Sequence, residues 1–340
     1  MNRNLWTGIV SAAGIMALIL DAETALRGAQ EGIALCLYSV IPSLFPFLAL
    51  SSIINNSLGG LNLRFLRPLG RACGISKGAE SIFLLGLVGG YPVGAQAIGQ
   101  AYQEGRITRE NGQRMLAFCN NAGPAFIFGM LSHFFSSTGT VFCIWAIQIL
   151  SAILVGIILP KCREQLCSTQ VHRDIPISQC VRQSLQAMAV ISGWVVLFRV
   201  LLAYLQKWFL WFIPREIGVV ISGILELSNG CVSLGVLKDE ALRFISANIM
   251  LSFGGLCVCM QTVAVIGKLK MGSYLKGKLL QICSCFLLSF LMLPLLFPAY
   301  GSLKSISFII AVVAIIAVFF KKVVAISEKL VYDKKKEAMR

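Results

Sequence analysis

Glu226 is a single carboxylate in an otherwise uncharged apolar stretch from Ile217 to Leu237. A carboxylate at membrane depth is costly and marks a functional site by default: it can carry a coupling proton, hold a cation or hydrogen-bond a substrate. The competing and compatible reading, behind the functional one, is an internal pair with Arg199, which sits in the run Leu197-Phe198-Arg199-Val200. That arginine could clamp an anion through its planar fork, or extend its head toward the interface near Lys207. Asn120 and Asn121 stand just before Gly123-Pro124. Proline removes a backbone donor and disrupts the preceding turn, so carbonyls are freed beside two amides. Those groups could coordinate a substrate or ion, or the amides could serve only to satisfy the freed backbone. Asn229 with Gly230, and Ser252 with Gly254-Gly255, form a matching constellation later in the chain. Gln96, Asn248 and Gln261 are further polar residues on the same segments, and Gly89, Gly90, Pro92 and Gly94 shape a turn around Tyr91.

The elements that carry these residues are membrane segments. Hydrophobic residues make up 57% of the 340-residue chain and charged residues 13%, against roughly 25% charged in soluble domains. Apolar runs lie near 5–20, 33–57, 80–102, 115–134, 139–160, 184–206, 216–237, 244–266, 279–297 and 305–320. Each approaches the ~20 residues that span a bilayer. The first run follows a lone Arg3 and reads as an uncleaved helix rather than a signal peptide. A net charge of +15 sits between the runs and in the tail from Lys321 to Arg340. That placement predicts contact with lipid headgroups and excludes nucleic acid as a partner.

Four of the runs are interrupted, at Gly89–Pro92, Asn120–Pro124, 226–230 and 252–255. Treating 80–102 and 216–237 as re-entrant hairpins, the second turning near Ser228-Asn229-Gly230, sorts the charges. Arg27, Lys207, Arg215, Lys238, Arg243 and Lys304 fall outside, Arg199 within a span, and the remaining lysines and arginines inside. Arms of about ten residues reach ~15 Å, half the hydrocarbon core. The expected fold is all-α: about eight transmembrane helices plus two re-entrant hairpins in an inverted repeat, with tips meeting near the midplane. The expected divisions are an N-terminal helix and outer loop (1–32), a first repeat (33–160), a cytoplasmic linker (161–183) with Asp174-Ile-Pro176, a second repeat (184–300), and a last helix with a basic cytoplasmic tail (301–340).

Twelve cysteines lie scattered, the close pairs being Cys257-Val-Cys259 and Cys283-Ser-Cys285; with only His133 and His172, metal-ligand spacing is lacking and no metal or other cofactor is expected. The sequence holds no P-loop, nucleophile elbow or HExxH motif, so an enzyme is not expected. Asp21 and Glu23 read as a solvated helix end.

Ser81-Ile-Phe-Leu-Leu-Gly-Leu-Val-Gly-Gly-Tyr-Pro-Val-Gly-Ala95 and Phe118-Cys-Asn-Asn-Ala-Gly-Pro124 resemble the YlbJ family of sporulation integral membrane proteins. So do Leu225-Glu-Leu-Ser-Asn-Gly230 and Leu251-Ser-Phe-Gly-Gly-Leu256 with Gln261 following, and the resemblance spans roughly residues 33–300. It implies kinship with the nucleoside-recognition or gate domain of ferrous-iron and concentrative nucleoside transporters, and a role at stage V of sporulation. The family is similar to the transporter that moves dipicolinate from mother cell toward forespore across the outer forespore membrane. This chain departs from the family pattern at Ala122, where serine is usual, and at Cys257 and Cys259, where serine and histidine are usual.

The resulting expectation is a secondary transporter of a small organic anion, dipicolinate first, in the bacterial cell membrane or outer forespore membrane with both termini cytoplasmic. Its candidate substrate-binding residues are Tyr91, Pro92, Asn120, Asn121, Gly123, Glu226, Asn229, Ser252, Gly254, Gln261 and Arg199. A proton or sodium ion would couple, and oligomerisation is left open. The competing readings are a gate-family transporter of nucleosides or another metabolite, and a non-transporting membrane scaffold for spore maturation.

Overall fold

The computed structural model describes residues 3–58, 63–161 and 176–303, and among them every regular element is helical. The expected last span (305–320), the basic tail and most of the linker around Asp174 lie outside the described residues. The chain divides into two compact units, 1–285 and 286–340. In the second, the described part is the end of a long helix and a short 3-10 segment, Pro298–Leu303. All packing below belongs to the first unit.

Helix α1 spans Arg3–Leu20 and α2 Ala22–Leu35; a π-helical turn, Cys36–Val40, joins α2 to α3, Ile41–Leu58, so the chain stays helical from 22 to 58. The outer loop expected up to residue 32 is therefore helix. Asp21 caps it by accepting from the Thr24 amide at 3.4 Å, and Ala-Glu-Thr-Ala-Leu are mostly good helix formers. After the short α4, Arg67–Ala72, comes the first helical hairpin: α5, Glu80–Val88, and α6, Val93–Gln103. Between them Gly90 takes φ 81° and the Tyr91–Pro92 bond is cis. Helix α7, Arg109–Leu116, and α8, Pro124–Leu131, are separated by a non-helical stretch, with Pro124 opening α8 where its missing donor is tolerated.

Helix α9 covers Thr138–Ile158 and α10 Ile177–Trp208. The second hairpin follows: α11, Arg215–Leu225, and α12, Leu227–Ser233. Its break falls at Glu226, at φ −146° and ψ 125°, rather than at Ser228–Gly230, which form the first turns of α12. A capping carboxylate there overrides the turn preference of Asn-Gly. Helices α13, Glu240–Phe253, and α14, Gly255–Val265, meet where Gly254 and Gly255 both take φ 82°. Finally α15 runs from Met271 to Leu296.

Five helical stretches among the described residues are long and apolar enough to cross a membrane: Ala22–Leu50, Thr138–Ile158, Ile177–Trp208, Glu240–Val265 and Met271–Leu296. These match five of the eight expected spans. Gly8–Leu20 and Pro124–Phe134 are apolar but shorter.

Close backbone approach holds each hairpin shut. A Cβ on Gly230 would lie 2.4 Å from the Gly223 Cα, and one on Gly94 would lie 2.9 Å from the Gly86 Cα. The two hairpins thus use the same device, glycine packed on glycine. Helices α2 and α10 do likewise: a Cβ on Gly32 would meet the Val196 Cα at 2.9 Å. At the far end Arg114 is buried and donates to the carbonyls of Gly156, Leu159 and Pro160, closing the C-terminus of α9. It was expected as a loop charge, and it is a structural cap.

Overpacking a buried helix contact costs typically 1–3 kcal/mol. Gly230→Ala is therefore expected to lower the thermal midpoint in detergent. Gly193→Ala on α10, where a Cβ meets open space, should leave that midpoint unchanged or raise it.

Candidate functional site

Glu226 is buried, 2% exposed, and its carboxylate faces no cation among the described residues. It accepts from the Ser228 amide at 2.9 Å, the Asn229 amide at 2.7 Å and the Asn229 side-chain Nδ2 at 2.8 Å. Charge-assisted bonds of this kind roughly double the strength of neutral ones. The side chain thus caps α12 and ties the hairpin tip to its own second arm. Arg199 is not its partner. Its guanidinium pairs with Glu31 on α2, while Lys207 donates to Asp21 at 2.8 Å. Two ion pairs and two glycines bind α2 to α10, and Arg199 belongs to that seam.

Three of the four breaks converge, and α14, which follows the fourth, stands beside them. Tyr91, Ala122 and Gly123 from the first half and Glu226, Ser228 and Gln261 from the second line one cavity of about 30 Å³. Val40, Leu44 and Phe126, with Ile191 and Val195 of α10, supply its apolar lining. The volume admits on the order of two water molecules. Two more cavities flank it along the α2–α3 helix. One, about 490 Å³, opens beside Tyr38, Ser39, Ser43 and His133; the other, about 40 Å³, lies beside Ser52, Gln96, Gln100 and Gln183. From Tyr38 to Ser52 the helix climbs about 21 Å, at ~1.5 Å per residue.

Tyr91 joins the halves directly. Its hydroxyl donates to the Leu251 carbonyl at 3.0 Å, with the Ser252 carbonyl at 3.4 Å. Gly254 must be small here, since a Cβ would meet the Tyr91 ring at 3.1 Å. Pro92 stands at the N-cap of α6, and the Ser252 hydroxyl bonds back to Ile249 within its own helix.

Asn120 and Asn121 are buried one layer behind the cavity. Asn121 donates to the carbonyls of Gly86 at 3.0 Å and Phe118 at 2.8 Å. Asn120 accepts from the Ala95 amide at 3.3 Å and donates to Thr262 at 3.1 Å. Both amides therefore do what a broken helix in lipid demands: they satisfy freed backbone and tie the break to its neighbours.

Behind Tyr91 lies a residue that sequence reasoning assigned to an inner loop. Lys278, 1% exposed on α15, donates to the Asn120 carbonyl at 2.6 Å, Gln281 Oε1 at 2.8 Å and the Tyr91 hydroxyl at 2.9 Å. Asn121 Oδ1 stands farther off at 3.5 Å, and the Tyr91 ring centroid is 4.9 Å from the amine. Gln281 in turn donates to Asn121 Oδ1 at 2.9 Å. A usable signal existed: Tyr274, Lys278, Gln281 and Cys285 recur at 4, 3 and 4 residues, one face of a helix.

In comparison with known proteins, the sporulation integral membrane protein YlbJ of Bacillus subtilis is 22% identical over 299 residues, covering 74% of this chain and 72% of that protein. No protein-family model matches the chain, and no solved structure does. The resemblance carried by the four motifs is thus borne out, and with its apolar helices the chain is an integral membrane protein similar to a sporulation protein.

Removing the Glu226 carboxylate strands two buried amides, a loss of about 1–2 kcal/mol. Glu226→Ala is expected to lower the unfolding midpoint in detergent clearly, Glu226→Gln less. Arg199→Ala, which breaks a partly exposed pair, should cost under about 1 kcal/mol.

Proposed function

We propose that this protein is a secondary transporter of a small organic anion, with a pyridine dicarboxylate such as dipicolinate as first candidate, acting during sporulation. The observation that carries the reading is the meeting of interrupted segments from both halves of the chain on one cavity. Broken helices at membrane depth persist where they surround a site, and matched pairs of them are a hallmark of secondary transporters. In this reading α5–α6 and α11–α12 are re-entrant hairpins of an inverted repeat, and the flanking cavities along α3 are the routes to either side.

The electrostatics favour an anion. The Glu226 charge is met by three N–H donors, whereas the Lys278 charge meets only neutral oxygens one hydroxyl away from the cavity. An arriving carboxylate would supply the counter-charge that the described residues do not. Binding would take place between Tyr91 and Gly123 on one side and Glu226 and Gln261 on the other. The aromatic ring of a pyridine dicarboxylate suits the apolar wall of Val40, Leu44 and Phe126.

The test is flux into proteoliposomes. Wild-type protein should accumulate labelled dipicolinate in preference to uridine, and Glu226→Gln and Asn121→Ala should each reduce the rate by about tenfold, roughly 1.4 kcal/mol in barrier. Uptake of uridine alone would replace this reading with nucleoside transport. Unchanged flux in both variants would mean that the site lies elsewhere, and no flux of any solute would leave a scaffold.

A further inference from the structure

Lys278 is a buried ammonium whose hydrogen-bond partners are all neutral oxygens, and burying an ammonium is costly without compensation. We propose that Lys278 is the coupling group of the transporter: a tethered cation that exchanges one proton per cycle and, through Tyr91, reports its charge to the second half of the chain. This inference rests on the transport reading and adds the identity of the driving ion.

The argument begins with counting donors. An ammonium has three N–H groups, and three acceptors stand within 2.9 Å: the Asn120 carbonyl, Gln281 Oε1 and the Tyr91 hydroxyl. The charged form therefore satisfies all three. A neutral amine has two N–H groups and a lone pair, so one of the three acceptors must lose its donor. The arrangement distinguishes the two protonation states by geometry alone.

Tyr91 is where that difference acts. Its hydroxyl accepts from Lys278 and spends its own proton on the Leu251 carbonyl, at the end of α13 beside the Gly254–Gly255 break. Once the ammonium has given its proton to water, the amine lone pair becomes an acceptor for that same hydroxyl. Turning the hydroxyl toward Lys278 releases Leu251, and with it the bond that joins the first hairpin to the second broken helix. The proton lost by the amine goes to solvent on one side and is regained from the other. No other bond changes.

The cage also explains why no separate metal cation is needed. It consists of a main-chain carbonyl, two side-chain amide oxygens and a hydroxyl, the oxygen set that a sodium ion would take, and the amine fills it. The titratable groups that face Lys278 are Tyr91 from the first hairpin, Cys119 before α8, Cys259 on α14, and Tyr274 and Cys285 on its own helix. Tyrosine and thiol side chains are neutral near pH 7 in their ordinary ranges. Glu226 lies across the cavity from Tyr91, with its carboxylate bound to α12.

Proteoliposomes separate coupling from binding. With wild-type protein, an imposed pH gradient should drive accumulation of labelled dipicolinate, and an imposed sodium gradient should not. Lys278→Gln should lose gradient-driven accumulation while still exchanging external label for trapped unlabelled dipicolinate at saturating substrate, with a raised half-saturation concentration because the counter-charge is gone. Lys278→Arg, which stays charged, should lose accumulation too, although it keeps the positive charge. Exchange and accumulation lost together in the glutamine variant, or accumulation that survives in either variant, would overturn the coupling role and leave transport standing. Sodium-driven accumulation in the wild type would do the same. If the wild type neither exchanges nor accumulates any solute, both readings fall.

Discussion

A backbone that stops being helical inside a bilayer cannot borrow hydrogen bonds from water, so every N–H and C=O it frees must find a partner in the protein. Much of this molecule follows from that constraint. The break before α8 is stitched by the side chains of Asn120 and Asn121 to Gly86, Ala95 and Phe118. The break before α12 is stitched by the Glu226 carboxylate. Where α13 ends, the Leu251 carbonyl is met by Tyr91 from the other half of the chain. Asparagine, glutamate and tyrosine at these points are first of all substitutes for absent water. The site proposed for them draws on the same property, because substitutes for water are also what a polar solute needs.

The same constraint decides how much could be read from the sequence. Gly90, Pro92, Pro124, Gly254 and Gly255 announce their breaks, because glycine and proline interrupt a helix by their own covalent structure. Glu226 announces itself as a lone charge. The second tip was misplaced by two or more residues because Asn229-Gly230 carries a turn signal, whereas a carboxylate capping its own following helix leaves only a weak one. Arg199 looked like a partner for Glu226 when only the distance along the chain was known. Its true partner, Glu31, lies 168 positions away, and only the glycine seam of α2 on α10 brings them together.

Lys278 was hidden for another reason. It follows Lys268, Lys270 and Lys276 at the edge of an apolar run, which is where inside-facing lysines collect. Charge counting assigns a side, and cannot tell a solvated amine from one folded back into the helix bundle. The distinction lies in periodicity: Lys276 faces away, while Lys278 shares a stripe with Tyr274, Gln281 and Cys285. Arg114 was misread in the same way, and it too is consumed by carbonyls. In a basic membrane protein a minority of the positive charges fold back into the helix bundle, and their helical phase separates them from the rest.

The central cavity is far smaller than the 300–1,000 Å³ of typical small-molecule sites. In the proposed reading a solute with a ring and two carboxylates needs the walls to part, and the walls differ in how they can. Gly86 against Gly94 and Gly223 against Gly230 leave the hairpins no internal slack, so each should move as a unit. The α2–α3 helix is different. It carries a π turn at Cys36–Val40 and Pro46 in its interior, two features that loosen a helix at defined places. Val40, the last residue of the π turn, and Leu44, just before the proline, line the central cavity; the larger cavity begins at Tyr38 and the smaller at Leu48. In the proposed transport reading, a bend at either flaw would open the centre toward one cavity while the stiff hairpins keep the other side closed. On that same reading, alternating access needs one flexible helix against two stiff hairpins, with the Tyr91–Leu251 bond as the contact between the first hairpin and α13 that must break.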